Sequence, residues 1–314
     1  MTRTKTGPLA EKLLRAAAKT RNQKVVELAA FAAGRQHAAE LQKTIATPER
    51  MADLHPAHSV YVYVQNQVSV MSETITQLPM LDKLTAVVGK AEDAYMPSGP
   101  PMSPLTGSYF FCWAVFDAAK GRAKETIGTC ILAVARWAGA DPELIRIMEI
   151  MQDSRMGLYI HEGSEGDIVH LRELVTGERL PCLSPSGYRG KRDEIWLARV
   201  LPPPAPVFQE SVVFTTPYVI TDPGEREWQA YLEHTLPKAR GRDTRERYAY
   251  LMKYGLELNY WNEYIFEAYA NHQTSVVFLR GLPDIEESRP HSRKSEQMYD
   301  TAIAAVRGCR SRRR

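Results

Sequence analysis

The sequence predicts an α+β protein: a helical N-terminal region, a small, barrel-like antiparallel β-module at its centre, and a helical C-terminal region. Three patterns carry this. Apolar residues recur at three- and four-residue spacing in the first half, short β-branched and aromatic runs fill residues 158 to 221, and helical spacing returns after Gly224. A chain of 314 residues that is 44% apolar and 25% charged is globular in composition and long enough for one large core or two ordinary ones. The expected segments are a basic helical arm over 1–56, a mostly helical region over 57–157, the β-module over 158–221, a helical region with a short strand over 222–284, and a basic tail over 285–314.

From Pro8 to Thr44, Leu9, Leu13, Leu14, Ala17, Val25 and Leu28 follow a helical period, with Gly34 as an interruption. The face is rich in Ala, so burial per turn is small and the arm reads as one that needs a partner. His55 and His58 are three apart, a metal-pair spacing on a helix, but Pro56 between them favours a loop. The β-branched and aromatic content of Tyr61 to Met71 favours a strand. Four prolines in Met96 to Pro104 exclude regular structure there, and three helices follow, over Leu105–Ala119, Lys124–Trp137 and Asp141–Arg155. Asp141 as N-cap and Pro142 behind it make the third start signal strong.

Strands are predicted over Leu158–His161, Ile168–Leu174, Arg179–Leu183, Glu194–Leu201 and Ser211–Ile220, with a glycine-containing hairpin loop over Val175–Glu178. The prolines at 202, 203, 204 and 206 place the fifth strand at an edge. Helices then run over Gly224–Leu236, Asp243–Lys253 and Glu257–Ala270, a strand over Thr274–Arg280, and a short helix over Ser295–Val306. The Tyr260 to Tyr269 aromatics read as buried in the protein or at an interface, which also fits a subunit of a larger assembly.

The passage from Ser108 to Tyr218 carries SRMGLY, HEG, LRELVTGE, PSGYRGK, EIWLAR and FTTPYVI. These motifs resemble a family of uncharacterised bacterial proteins. LRELVTGE followed by a strand ending in AR is similar to a β-module that often precedes a Cys-rich metal-binding tail, which this sequence lacks. The resemblance implies the architecture and assigns no activity.

Charge is unevenly spread although the net value is only +3. Residues 1–50 hold ten Lys/Arg against four Asp/Glu, and 289–314 hold eight against two, leaving an acidic middle. Basic ends on an acidic body suit contact with polyanions. No secretory h-region or membrane-length apolar run is present, so a cytoplasmic protein without a membrane partner is expected. Cys112, Cys130, Cys182 and Cys309 lack metal or redox spacing, and no cofactor is implied.

Two chemistries are readable. The loop Ser184 to Arg192 has Gly187 and Gly190 for tight turns, Tyr188 as a stacking face, and Arg189, Lys191 and Arg192 as phosphate donors; Arg310, Arg312, Arg313 and Arg314 extend the basic set. This points to a non-catalytic binding or adaptor protein contacting nucleic acid or a protein partner. The alternative is a metal-dependent hydrolase or nuclease using Glu162, Asp167 and His170, drawn from a polar cluster that also holds His161, Glu165, Arg172 and Glu173. Strand alternation places His170 and Glu173 on opposite faces, which divides that cluster.

Overall fold

The computed structural model describes residues 6–22, 51–95 and 104–291. The expected helix beyond Asn22, the proline-rich segment before Pro104, the helix over 295–306, Cys309 and the Arg310–Arg314 run lie outside the described residues. The chain divides into two compact units: Met1–Gly89, Phe111–Ser154 and Leu201–Val212 form one, and Lys90–Phe110, Arg155–Val200 and Val213–Arg314 the other. No helix among the described residues is long and apolar enough to cross a membrane.

The first unit is helical. Its elements are α1 (Pro8–Asn22), α2 (Pro56–Ile75), a first stretch of α3 (Asp82–Tyr95), α5 (Ile127–Ala138) and α6 (Pro142–Asp153); α4 (Pro104–Cys112), which belongs to the second unit as far as Phe110, runs into a π-helical turn over Trp113–Asp117. The strand expected over Tyr61 to Met71 is helix. Ala57, Tyr61, Val64, Val68 and Ile75 form its buried stripe at helical spacing, so packing of that stripe overrides β propensity. His55, expected in a loop, is the N-cap that accepts the Ala57 N–H at Nδ1, and Pro56 opens the helix. The Asp141 start is confirmed, its carboxylate accepting the Glu143 and Leu144 N–H groups.

At the N-terminus of α1, the buried Glu125 carboxylate accepts the N–H groups of Leu9 and Ala10 at 2.9–3.0 Å. These donors have no partner within the helix, and the carboxylate also complements the helix dipole. Leu13 and Ala10 bury the inner face of α1.

The β-module is a closed five-stranded barrel with three further strands. β1 (Met156–Glu165), β2 (Ile168–Glu173), β3 (Arg179–Leu183), β5 (Ser211–Val213) and β4 (Ile195–Leu201) follow in that order, and β4 pairs back to β1. β6 (Tyr218–Asp222), β8 (Val276–Arg280) and β7 (Tyr269–Gln273) continue outward from β4, with β6 and β8 parallel. The single run expected over Ser211–Ile220 is therefore two strands, broken where Pro217 lacks an N–H. Neither lies at an edge, because the prolines fall in the preceding connection and cost no ladder bond. The helix expected over Glu257–Ala270 is shorter, α9 (Tyr260–Glu267), and its expected last turn instead begins the edge strand β7.

Alternation fills the barrel. Val169, Leu171 and Cys182 point inward with Tyr159, Trp196, Ala198, Val213, Val219 and Val276, while His170 faces solvent. Around the module, α7 (Glu225–Thr235), α8 (Thr244–Tyr254) and α9 pack their aromatic faces inward. Tyr248 is fully buried and accepts the Leu158 N–H at 2.9 Å, and the Arg155 guanidinium lies 4.7 Å from its ring while pairing with buried Glu173 at 2.9 Å. Trp261 donates to the Leu251 carbonyl, and Tyr264 to that of Gly281.

Glu125→Ala is expected to loosen α1 at a cost of about 1–2 kcal/mol, the range of a lost N-cap. Limited proteolysis should then cut within α1 earlier than in the native chain; an unchanged cleavage pattern would show that the cap does not hold the helix.

Candidate functional site

The outer face of the β1–β2–β3 meander carries an open groove of about 470 Å³, lined by Glu162, His170, Arg179, Leu180, Pro181 and Arg192. A β-bulge makes it. The β1–β2 register shifts between His161 and Gly163, so Glu162 is the extra residue and is turned to the outer face. His161 on one side of it points into the barrel, and Gly163 on the other aligns with His170.

Charges in the groove are largely paired among themselves. Glu162 accepts from Arg172 Nε at 3.1 Å and from Arg179 Nε at 2.9 Å, and Arg172 also reaches Glu225 at 3.1 Å. The Arg179 hydrogen bond, followed by the Arg172 contact, holds the Glu162 carboxyl below the usual carboxylate range. Asp167 pairs with Arg189. Lys191 and Arg192 are exposed, and neither makes an ion pair among the described residues. Glu162 and Asp167 are therefore held by different arginines, His170 shares the groove with Glu162 alone of the two, and no group of three His, Cys, Asp or Glu side chains among the described residues is placed to hold a metal ion.

The basic loop is fixed from below. Tyr188 is half buried: its ring packs 5.5 Å from Trp196 and edge-on to Phe278, and its hydroxyl donates to Glu194 at 3.0 Å. The expected stacking face is thus spent on packing, and Tyr188 anchors the loop. Glu194 also accepts the Trp196 Nε1–H at 3.1 Å. Gly190 adopts φ +67°, and a Cβ there would stand 2.5 Å from Trp196 Cζ2, so glycine alone lets the loop lie this close.

His161 completes the anchor. Its backbone N–H donates to Glu194 and its carbonyl accepts from Asp193, both within 2.9 Å. Its ring lies 5.1 Å from Trp196, and Nδ1 accepts the Gly163 N–H, which leaves Nε2 as the protonated nitrogen of a neutral imidazole. Nε2 is buried beside the Arg189 backbone and has no partner in hydrogen-bonding geometry among the described residues. Sequence reasoning grouped His161 with the surface polar cluster and overlooked Trp196 and Glu194. The signal available was alternation, since residues 194 and 196 share a strand face.

Cys112, Cys130 and Cys182 are buried and form no disulfide among the described residues, and burial pushes the Cys130 thiol up to about 12. Comparison with known proteins returns no matching family, curated protein or solved structure.

Burial lowers the His161 pKa, outweighing the Arg189 carbonyl and the Glu194 charge that favour protonation; Arg192 and His170 add to the lowering. A depressed folded-state value means that its contribution to stability is complete above about pH 6.5, the ordinary histidine value, and is lost as pH falls through the folded value. The urea midpoint is expected to drop between about pH 7 and pH 5, and to drop less in His161→Phe, which keeps a ring on Trp196 without the titration. Equal drops would remove His161 from the account.

Proposed function

We propose that this protein is a nucleic-acid-binding module that takes a polyanionic strand across the β2–β3 face, with the Ser184–Arg192 loop supplying phosphate contacts. The observation that carries the reading is the pairing pattern. Glu162 and Asp167 are occupied by arginines, whereas Arg192 at the groove and Lys191 beside it in the chain are exposed and make no ion pair among the described residues. A cation already paired gains little from a phosphate, and an unpaired one releases counterions when it binds.

The fold supports the same reading by analogy. Five-stranded Greek-key barrels of the OB type bind oligonucleotides on the face of their second and third strands, and the groove here occupies the face of β2 and β3. A loop held against Trp196 offers its cations without a large ordering cost. On this reading the Arg310–Arg314 run adds contacts along the strand, and so does the basic N-terminal arm.

The test is binding of labelled single-stranded RNA and DNA to the full chain at about 50 and 200 mM salt. Affinity is expected to fall steeply with salt. In the Lys191→Gln, Arg192→Gln double variant, log K against log salt should be shallower by about 1.4, since each phosphate contact on a single strand contributes about 0.7. An unchanged slope would take the loop out of the interface, and no binding at low salt would overturn the reading.

A further inference from the structure

The groove offers more than charge, and what it offers rests on the reading just given. In the strand register His170 lies between Gly163 on β1 and Pro181 on β3. One neighbour has no side chain and the other carries only a pyrrolidine ring, so the two cross-strand neighbours themselves add little bulk beside the imidazole. His170 is exposed, and among the described residues no hydrogen bond, ion pair or ring contact engages it. Every other groove residue with a polar side chain apart from Arg192 is held by a neighbour.

Gly163 does a second thing. A Cβ there would meet Arg192 Nη2 at 3.3 Å, so the missing side chain lets the guanidinium lie close over the β1 backbone, at the same groove as His170. Pro181, which shares the outer face with His170, gives that groove an apolar wall, and Leu180 lines it while packing against the barrel core. An exposed aromatic ring, an apolar wall and a guanidinium with no ion pair among the described residues together match the two parts of one nucleotide, the face of a base and a flanking phosphate.

We propose that the groove seats a single unpaired nucleotide, with its base stacked on the His170 imidazole and its phosphate on Arg192. The ligand class is then single-stranded nucleic acid, because in a duplex the base faces are covered by their neighbours and cannot reach His170. His170 contributes contact area, and its variants should sort by ring and not by charge.

The experiment uses the full chain and three labelled probes of about 15 nucleotides, a length within the site sizes of small barrels: an ordinary single strand, the same strand with abasic sites throughout, and a duplex. The native protein is expected to bind the ordinary strand about fivefold or more tighter than the abasic one, and tighter than the duplex. His170→Ala should abolish the preference for bases while leaving salt-dependent binding in place, and His170→Phe should restore it. Salt-dependent binding with equal affinity for ordinary and abasic strands, or a preference that survives His170→Ala, would overturn the stacking site and leave the polyanion reading standing. No binding to any probe at low salt would take both down together.

Discussion

The arrangement of the β-module depends on the burial of Trp196. Its indole is fully buried on β4, donates to Glu194 two residues earlier on the same face, and is covered by the rings of His161 and Tyr188. Burying an indole so completely requires both a cover for the ring and an acceptor for the N–H. The Ser184–Glu194 loop supplies both, so a segment rich in Gly, Ser and cations, which would otherwise wander in solvent, has a fixed course. Glu194 links the two halves by accepting from Tyr188 and from Trp196.

That constraint also sets where charge appears. With Tyr188 and Glu194 turned inward, Arg189, Lys191 and Arg192 are left on the outer side, and the bulge at Glu162 brings a carboxylate to the same face. Glu162 organises Arg172 and Arg179 and does not cancel Lys191 or Arg192. The histidines and carboxylates that a hydrolytic reading would gather are spent separately. His161 packs on Trp196, Glu162 holds two arginines, Asp167 pairs with Arg189, and Glu173 is buried with Arg155.

Much of this was legible in the sequence because local signals and packing agree. Asp141-Pro142 marks a helix start, and the alternation of Ile168 to Glu173 separates His170 from the core as the burial pattern does. Expectations failed where tertiary packing overruled local preference. Val62, Val64 and Val68 suit a strand by type, yet the spacing of Ala57, Tyr61, Val64 and Val68 serves a helix face. The edge strand β7 is exposed at four of its five positions, three of them polar, so no alternation announces it. In the candidate site the loop and its cations could be read from composition, but the groove could not. It arises from a bulge and a three-strand register that bring Glu162, His170, Pro181 and Arg192 together, none of which is encoded by local spacing.

The most direct measurement is amide hydrogen exchange on the full chain with and without a saturating single-stranded oligonucleotide. The account predicts slowed exchange confined to the bulge at 162–163, to β2 and β3, and to the 184–194 loop, with α5 and α6 unchanged. Protection that leaves those segments untouched and appears elsewhere would contradict it.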